Sequence, residues 1–317
     1  MRVLVTGGTG YLGRAIVRAL TLRGHEAVVF ARHATRAGVP GRAIDGDVRD
    51  RHAVHDAMAI VDAVCHVAAL VSVWRKDPRE FDEVNIHGLE HVLAAARDRG
   101  LARIVYTSSF LARPPAGRTA PLVANDYQRT KAAALSVARD AASSGAPIVT
   151  LFPGVLFGSG IMSEGNLVGR MLADHIAGRL PGLIGADHIW SYAWVDAVAD
   201  AHVTALERGA AGAEYQLGGD NLPQRRPFEL LHEWRGTPLP RRIPTSIASA
   251  LGLVLEAGAR LTGRPSKLTR ATVEIFRHDW PLDSARAMTD LDYRPLALAD
   301  GLARMLPEVL GPPAMGQ

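Results

Sequence analysis

Tyr127-Gln128-Arg129-Thr130-Lys131 sets a phenol and a primary amine four residues apart. On a helix that spacing brings both side chains to one face. A phenol ionises near pH 10, too high for proton transfer at neutral pH, and an adjacent ammonium lowers that value by stabilising the phenolate. With six tyrosines and only three lysines (Lys76, Lys131 and Lys267) in 317 residues, roughly 0.06 such pairs are expected by chance. Upstream, Arg103-Ile104-Val105-Tyr106-Thr107-Ser108-Ser109 reads as a buried strand ending in hydroxyls. Ser109 is the first choice to hydrogen-bond a substrate carbonyl or hydroxyl, with Ser108 and Thr107 behind it; the alternative is a hydroxyl that merely caps the strand.

A second constellation opens the chain. Thr6-Gly7-Gly8-Thr9-Gly10-Tyr11-Leu12-Gly13 follows an apolar strand and leads directly into an amphipathic helix. Such a turn lets backbone amides and the positive end of a helix dipole meet a pyrophosphate, so Gly7, Thr9, Gly10, Tyr11, Leu12 and Gly13 are candidate dinucleotide contacts. At the end of the second strand, where a carboxylate usually binds the adenosine ribose, the sequence has Ala31-Arg32 with Arg36 following. Arg32 favours a 2′-phosphate and hence NADP over NAD, although an arginine can also stack on adenine. Asp47, in Gly46-Asp47-Val48, is placed either at the adenine amino group or in a turn or helix cap.

The elements that must position these groups are legible as an alternation. Apolar runs at Val3 to Thr6, Ala27 to Phe30, Ala63 to Val67, Ile104 to Thr107 and Ile148 to Phe152 are separated by amphipathic stretches. This predicts an α/β fold with a Rossmann-type doubly wound parallel sheet over residues 1–155. Gly24 and Gly100 stand where helices should end in left-handed caps. Beyond Pro153-Gly154 the glycine and proline content rises, so residues 156–317 are expected to form mainly a smaller substrate-binding lobe, with 190–217 returning to the first domain. Val195 to Arg208 and Ser246 to Gly263 read as helices.

Composition narrows the class. The chain is 48% hydrophobic and 21% charged, within the globular range. One cysteine, Cys65, permits no intrachain disulfide and suggests a reducing compartment, so a cytoplasmic location is expected. The net charge of +4 comes from scattered arginines, which argues against nucleic acid as a partner. Neither a signal peptide nor a transmembrane segment is read, and a small molecule is the expected partner.

Taken in order, the Thr6 to Gly13 turn, Val67-Ala68-Ala69, Asn85-Ile86-His87-Gly88, Ser109, Tyr127 with Lys131, and Pro153-Gly154-Val155-Leu156-Phe157-Gly158 resemble the extended short-chain dehydrogenases/reductases. The resemblance spans essentially the whole chain. It implies that Tyr127 is general acid/base, that Lys131 lowers its pKa and holds the nicotinamide ribose, and that Ser109 orients the reacting oxygen. It also implies that Asn85 supports the relay, that Ala68 lies along the cofactor, and that the backbone from Pro153 to Val155 meets the nicotinamide end. Within the family the second half is most similar to the dihydroflavonol-reductase and 3β-hydroxysteroid-dehydrogenase branch, with a farnesol-dehydrogenase-like pattern at Ala68-Ala69-Leu70-Val71 with Trp74 and at Trp280 to Pro295. Sugar-nucleotide epimerases usually carry an arginine where this chain has Trp190, so a lipophilic alcohol or ketone is expected. The stretch from Ser109 to Tyr127 is short for the family, and Phe152 and Ser159 replace its usual arginine and proline. The competing readings are an epimerase or dehydratase with tightly held dinucleotide, and a non-catalytic dinucleotide sensor, against which the Tyr/Lys pair speaks.

Other signals carry less. His87-Gly88-Leu89-Glu90-His91 matches a zinc-protease spacing but lacks a third ligand, so no metal site is expected. Cys65 reads as a packed thiol. Trp190, Tyr192 and Trp194 alternate as a half-buried strand would. The apolar run Ser246 to Leu261 fits packing against the lobe or a homodimer interface better than a membrane-facing patch.

Overall fold

Strands β1 (Arg2–Thr6), β2 (Glu26–Ala31), β3 (Arg42–Asp45), β4 (Ala63–His66), β5 (Arg103–Thr107) and β6 (Ile148–Pro153) run parallel in one sheet. The computed structural model describes residues 1–262, 266 and 268–310. With β7 (Val155–Phe157), β8 (Leu183–Ile184), β9 (Ile189–Trp194) and β10 (Glu214–Leu217) following, the sheet order is β10-β6-β5-β4-β1-β2-β3. The chain winds outward from β1 to β3, then returns to start the other half at β4. The reversal opens a crevice at the carboxyl ends of β1 and β4, where doubly wound sheets bind ligands.

Period-two alternation feeds two cores. Val3, Val5, Val29 and Val105 face helices α1 (Tyr11–Leu22) and, further along the chain, residues 195–208. Leu4, Val28, Phe30, Ile104 and Tyr106 face the opposite layer of α2 (Arg51–Met58), α4 (Gly88–Asp98) and α5 (Asp126–Ser143), with α3 (Arg79–Asp82) preceding α4. As the sequence predicts, Gly24 and Gly100 end their helices with φ of 77° and 64°.

The remaining chain contributes α6 (Leu167–Ile176), α7 (Val195–Arg208), α8 (Arg226–Arg235), α9 (Thr245–Thr262), α10 (Arg270–Phe276), α11 (Ala285–Leu291) and α12 (Leu298–Leu310). Helix α7 packs with α1, and β10 pairs with β6, so both belong to the layers of the large sheet. A three-stranded sheet places β9 between β7 and β11 (Asn221–Pro223), and a two-stranded one pairs β8 with β12 (Arg242–Ile243). The expectation of a half-buried strand at Trp190, Tyr192 and Trp194 does not hold. Both faces of β9 are covered: on one, Phe157 meets Tyr192 and Trp194 edge-on and Trp190 meets Phe276, and on the other Ser191 and Ala193 are buried.

Candidate active site

At the dinucleotide end the backbone does most of the shaping. Gly7 adopts φ +69°, and the turn is pinned by Gly7 N–H to Phe30 O and Gly10 N–H to Gly7 O, each 2.9 Å. A Cβ on Gly7 would lie 2.8 Å from the Ala68 backbone, and one on Gly13 only 2.2 Å from Gly7 O. The turn therefore packs directly on the loop after β4, and α1 packs directly on the turn. Helix α1 starts at Gly10 with no side-chain cap and no acidic residue in its first turn, so its amide end is left for an anion. Thr9 and Gly10 reach the surface, whereas the Tyr11 and Leu12 side chains are buried, so these two can offer only backbone. The cradle fits the diphosphate of a dinucleotide.

Further out, Arg32 is exposed just past β2; the Asp47 carboxyl is held below the usual range chiefly by its hydrogen bond to Arg49, with Arg32 contributing least. Asp47 itself is engaged in a turn: its carboxylate takes Arg49 Nε at 3.1 Å and Nη2 at 2.8 Å, and accepts the Arg49 amide at 3.0 Å. The helix-capping role belongs to Asp50, which accepts from the His52 and Ala53 amides. Val48 turns its side chain into the core, and its carbonyl accepts from His91 Nδ1 at 2.9 Å.

Across the crevice, Asn125 caps α5 by accepting the Gln128 amide at 2.9 Å, and two residues later Tyr127 emerges half-buried. Burial pushes the Tyr127 phenol above its ordinary value while the neighbouring Ser109 hydroxyl pulls it back. Ser109 also caps a short 3-10 turn, Phe110–Ala112, by accepting the Leu111 amide at 3.2 Å. Ser108 Oγ is buried beside the Tyr106 hydroxyl. Lys131, one helical turn beyond Tyr127, is almost wholly buried. Its Nζ donates to Thr107 O at 2.8 Å and lies 5.0 Å from the Tyr106 ring centre, with Tyr106 Oη at 3.4 Å. Desolvation lowers its pKa to about 7. The ammonium thus leans on β5, and what shifts the phenol here is burial and Ser109.

Asn85 lies in a π-helical turn, Glu83–His87, between α3 and α4. Such turns are often found at functional sites. Its Oδ1 accepts the Leu70 amide at 2.7 Å and its Nδ2 donates to Thr130 Oγ1 at 2.9 Å, tying the loop after β4 to α5. Pro153 and Val155 are buried at the junction of β6 and β7, where a Cβ on Gly154 would meet Ser191 O at 2.4 Å. Beside the start of α5, a cavity of about 480 Å³ is lined by Val73, Trp74, Asn125, Asp126, Thr269 and Arg270.

Some contributors escape the sequence reading. Tyr106 supports Lys131 and stacks on His66, whose Nδ1 lies 2.8 Å from Thr6 Oγ1. On the other side of β5, Thr107 Oγ1 bonds His202 Nε2 at 2.9 Å. Burial lowers the pKa of His66 to about 3 and of His202 to about 4. Strand alternation was the available signal for Tyr106, because a residue beside Thr107 must face the layer that carries α5. Of the discounted signals, His87 pairs with Glu90 at 2.9 Å while His91 turns to Val48, and Cys65 is buried with its thiol pushed up.

Comparison with known proteins follows this geometry. Residues 3–218 match the NAD dependent epimerase/dehydratase family. The chain is similar to the 2-alkyl-3-oxoalkanoate reductase of Stenotrophomonas maltophilia, at 32% identity with 96% of this chain and 98% of that protein covered. It is also similar to sterol demethylase protein B of Methylococcus capsulatus, at 29% identity over 96% and 98%. Among solved structures, UDP-glucose 4-epimerase of Thermus thermophilus in complex with NAD superposes with a TM-score of 0.73 at 27% identity, covering 98% of this chain and 99% of that one. The chain belongs to the NAD dependent epimerase/dehydratase family, the extended branch of the short-chain dehydrogenase/reductase enzymes.

Proposed function

We propose that the chain is an NADP-preferring oxidoreductase that interconverts an alcohol and a carbonyl on a small lipophilic substrate. What supports this reading is that the Ser109 hydroxyl lies beside the Tyr127 phenol, with Lys131 one helical turn further on, and that α1 begins with an uncapped amide end. Residues 1–155 with 190–217 would hold the dinucleotide, through Gly7, Thr9, Gly10, Tyr11, Leu12, Gly13 and Ala68, and 156–317 would mainly shape the substrate side. Arg32 supports the preference for a 2′-phosphate, with NAD as the alternative. The bound nicotinamide supplies or accepts the hydride.

Tyr127 starts as a neutral phenol, because desolvation holds its pKa above the ordinary value, so its resting form is a proton donor. In the reductive direction it hands a proton to the substrate oxygen while Ser109 hydrogen-bonds that same oxygen as charge develops. Lys131, anchored on Thr107 O and the Tyr106 ring one helical turn from Tyr127, would supply the positive charge of the site. Asn85 positions the loop after β4 against α5. The burial of Trp190 against Phe276 supports a lipophilic substrate over a nucleotide sugar, since no guanidinium stands there to clamp a diphosphate.

The test is a screen of ketones, aldehydes and alcohols with both nicotinamide dinucleotides, run beside Tyr127→Phe. The variant should bind cofactor normally and lose turnover by about 10²–10⁴-fold. Silence on lipophilic substrates with turnover of a nucleotide sugar would overturn the proposal.

A further inference from the structure

We infer that α9 lies flat on an anionic lipid bilayer and seats the protein at a membrane surface. The helix packs inside out. Its inward face is built of small residues: Ala248 and Ala259 are buried, and a Cβ on Gly252 would approach Arg270 N to 3.0 Å. Its outward face carries the large apolar side chains. Ile247, Leu251, Val254, Leu255 and Leu261 are 60%, 48%, 67%, 38% and 89% exposed. Their spacing of four, three, one and six residues keeps these five on one stripe along 18 residues, about 27 Å, with Leu253, 52% exposed, to one side of it. Folding has no use for that stripe, because the contacts holding α9 are made by the alanines, by Gly252 and by Glu256, which accepts the Arg270 amide at 2.6 Å.

Charge selects the occupant. Residues 241–270 contain Arg241, Arg242, Arg260, Arg264, Lys267 and Arg270 against Glu256 alone, a balance of +5 where the whole chain has +4. In sequence, the net positive charge thus falls on the apolar helix and its flanks, although Arg242 is paired with Asp187 and Arg270 with Glu256. A second copy would meet a segment of the same sign. An anionic bilayer offers the opposite charge for the flanks and hydrocarbon for the leucines, a combination that holds an amphipathic helix about 5–10 Å deep in the interface. The helix lies on the membrane rather than through it, since among the described residues no helix is long and apolar enough to cross one. Its inner residue Glu256 lines the cavity beside the start of α5, so this seating sets that cavity next to the lipid phase.

Vesicle co-sedimentation tests the inference without reading turnover, and so stands apart from the redox proposal. Phosphatidylcholine vesicles and vesicles containing about 30% phosphatidylglycerol are spun with the full chain and with Leu251→Gln/Val254→Gln, whose fold is checked by its melting temperature. The expected result is salt-sensitive binding to the anionic vesicles, weaker by about tenfold or more in the double variant because two apolar anchors are lost. Absence of binding, equal binding to neutral vesicles, unchanged binding by the double variant, or a dimer in solution that the double variant dissolves would each overturn it.

Discussion

Helices α1 and α9 are both strongly apolar, yet they spend that character oppositely. In α1, Leu12, Ile16, Val17 and Leu20 are buried between the sheet and α7, while the helix N-terminus is left bare for a ligand. In α9, small residues face inward and leucines face water. The first helix is held by the same surface that builds the site, so its apolar residues are stability determinants. The second is held by a narrow seam, so its large side chains are free for another purpose. The lesson is that an apolar periodicity announces a helix and a face, and only the identity of the neighbouring layer says whether that face is a core.

The sharpest way to break the contrast is at the turn that precedes α1. Gly13→Val adds side-chain atoms to a position where even a Cβ would stand 2.2 Å from Gly7 O. The turn must shift, and dinucleotide affinity should fall by at least about 100-fold, the loss of two or more good backbone contacts to a charged group. Isothermal titration of the variant with NADPH and NADH measures this directly. An unchanged affinity would mean that the diphosphate does not sit on this turn.

Next in size is the core face of α1. Ile16→Ala should lower unfolding free energy by about 2–5 kcal/mol, as expected for deleting a fully buried branched side chain. Chemical denaturation checks it, with the m-value as control for a changed denatured state.

Lys131 supplies an effect of intermediate size with a signature in pH. Its folded pKa is about 7 against an ordinary 10.5, so the unfolded chain binds the extra proton between those values. The burial penalty is fully present below pH 7 and is relieved as pH climbs through the window, since stability rises wherever the unfolded state holds more protons. Lys131→Met should therefore stabilise the protein most at pH 6 and less at pH 9, while abolishing turnover. A gain that does not change with pH would show that the amine is not the buried group. His66 and His202 act with the same sign in a lower pH window. Their pKa values are lowered to about 3 and about 4 from 6.5, so both are neutral in either state above 6.5, and stability is lost as pH falls toward 4.

The sheet, the glycine turn and the Tyr127–Lys131 pair were legible because each is a local pattern whose geometry follows from one strand or one turn of helix. What Lys131 actually touches was not, because Thr107 O and the Tyr106 ring come from β5, more than twenty residues away. The same holds for Asn85: its motif was visible, but the π turn that aims its amide at Leu70 and Thr130 depends on how α3 meets α4. Asp47 shows the limit from the other side: two roles fit the sequence, and only the structure shows its carboxylate engaged by Arg49 in a turn. For Trp190, Tyr192 and Trp194 alternation suggested one wet face. The aromatic face packs on Phe157 and Phe276, and the opposite face, Ser191 and Ala193, is buried as well.

The smallest expected effect is the most discriminating for α9. Leu251→Gln/Val254→Gln removes two large apolar side chains, which in α1 would cost several kcal/mol, yet both residues are already about half or more exposed. Little apolar area leaves water there on folding, so the change in unfolding free energy should stay within about 0.5 kcal/mol, the range of an ordinary surface substitution. Set beside Ile16→Ala under identical denaturation conditions, the two variants give a ratio rather than two isolated numbers, which cancels uncertainty in the reference state. A loss near that of Ile16→Ala would place the stripe in a buried surface of the protein in solution, in the monomer or between copies. A near-zero value, with the helical signal intact, leaves the leucines without a structural duty and makes the loss of vesicle binding in the same variant a statement about the surface alone.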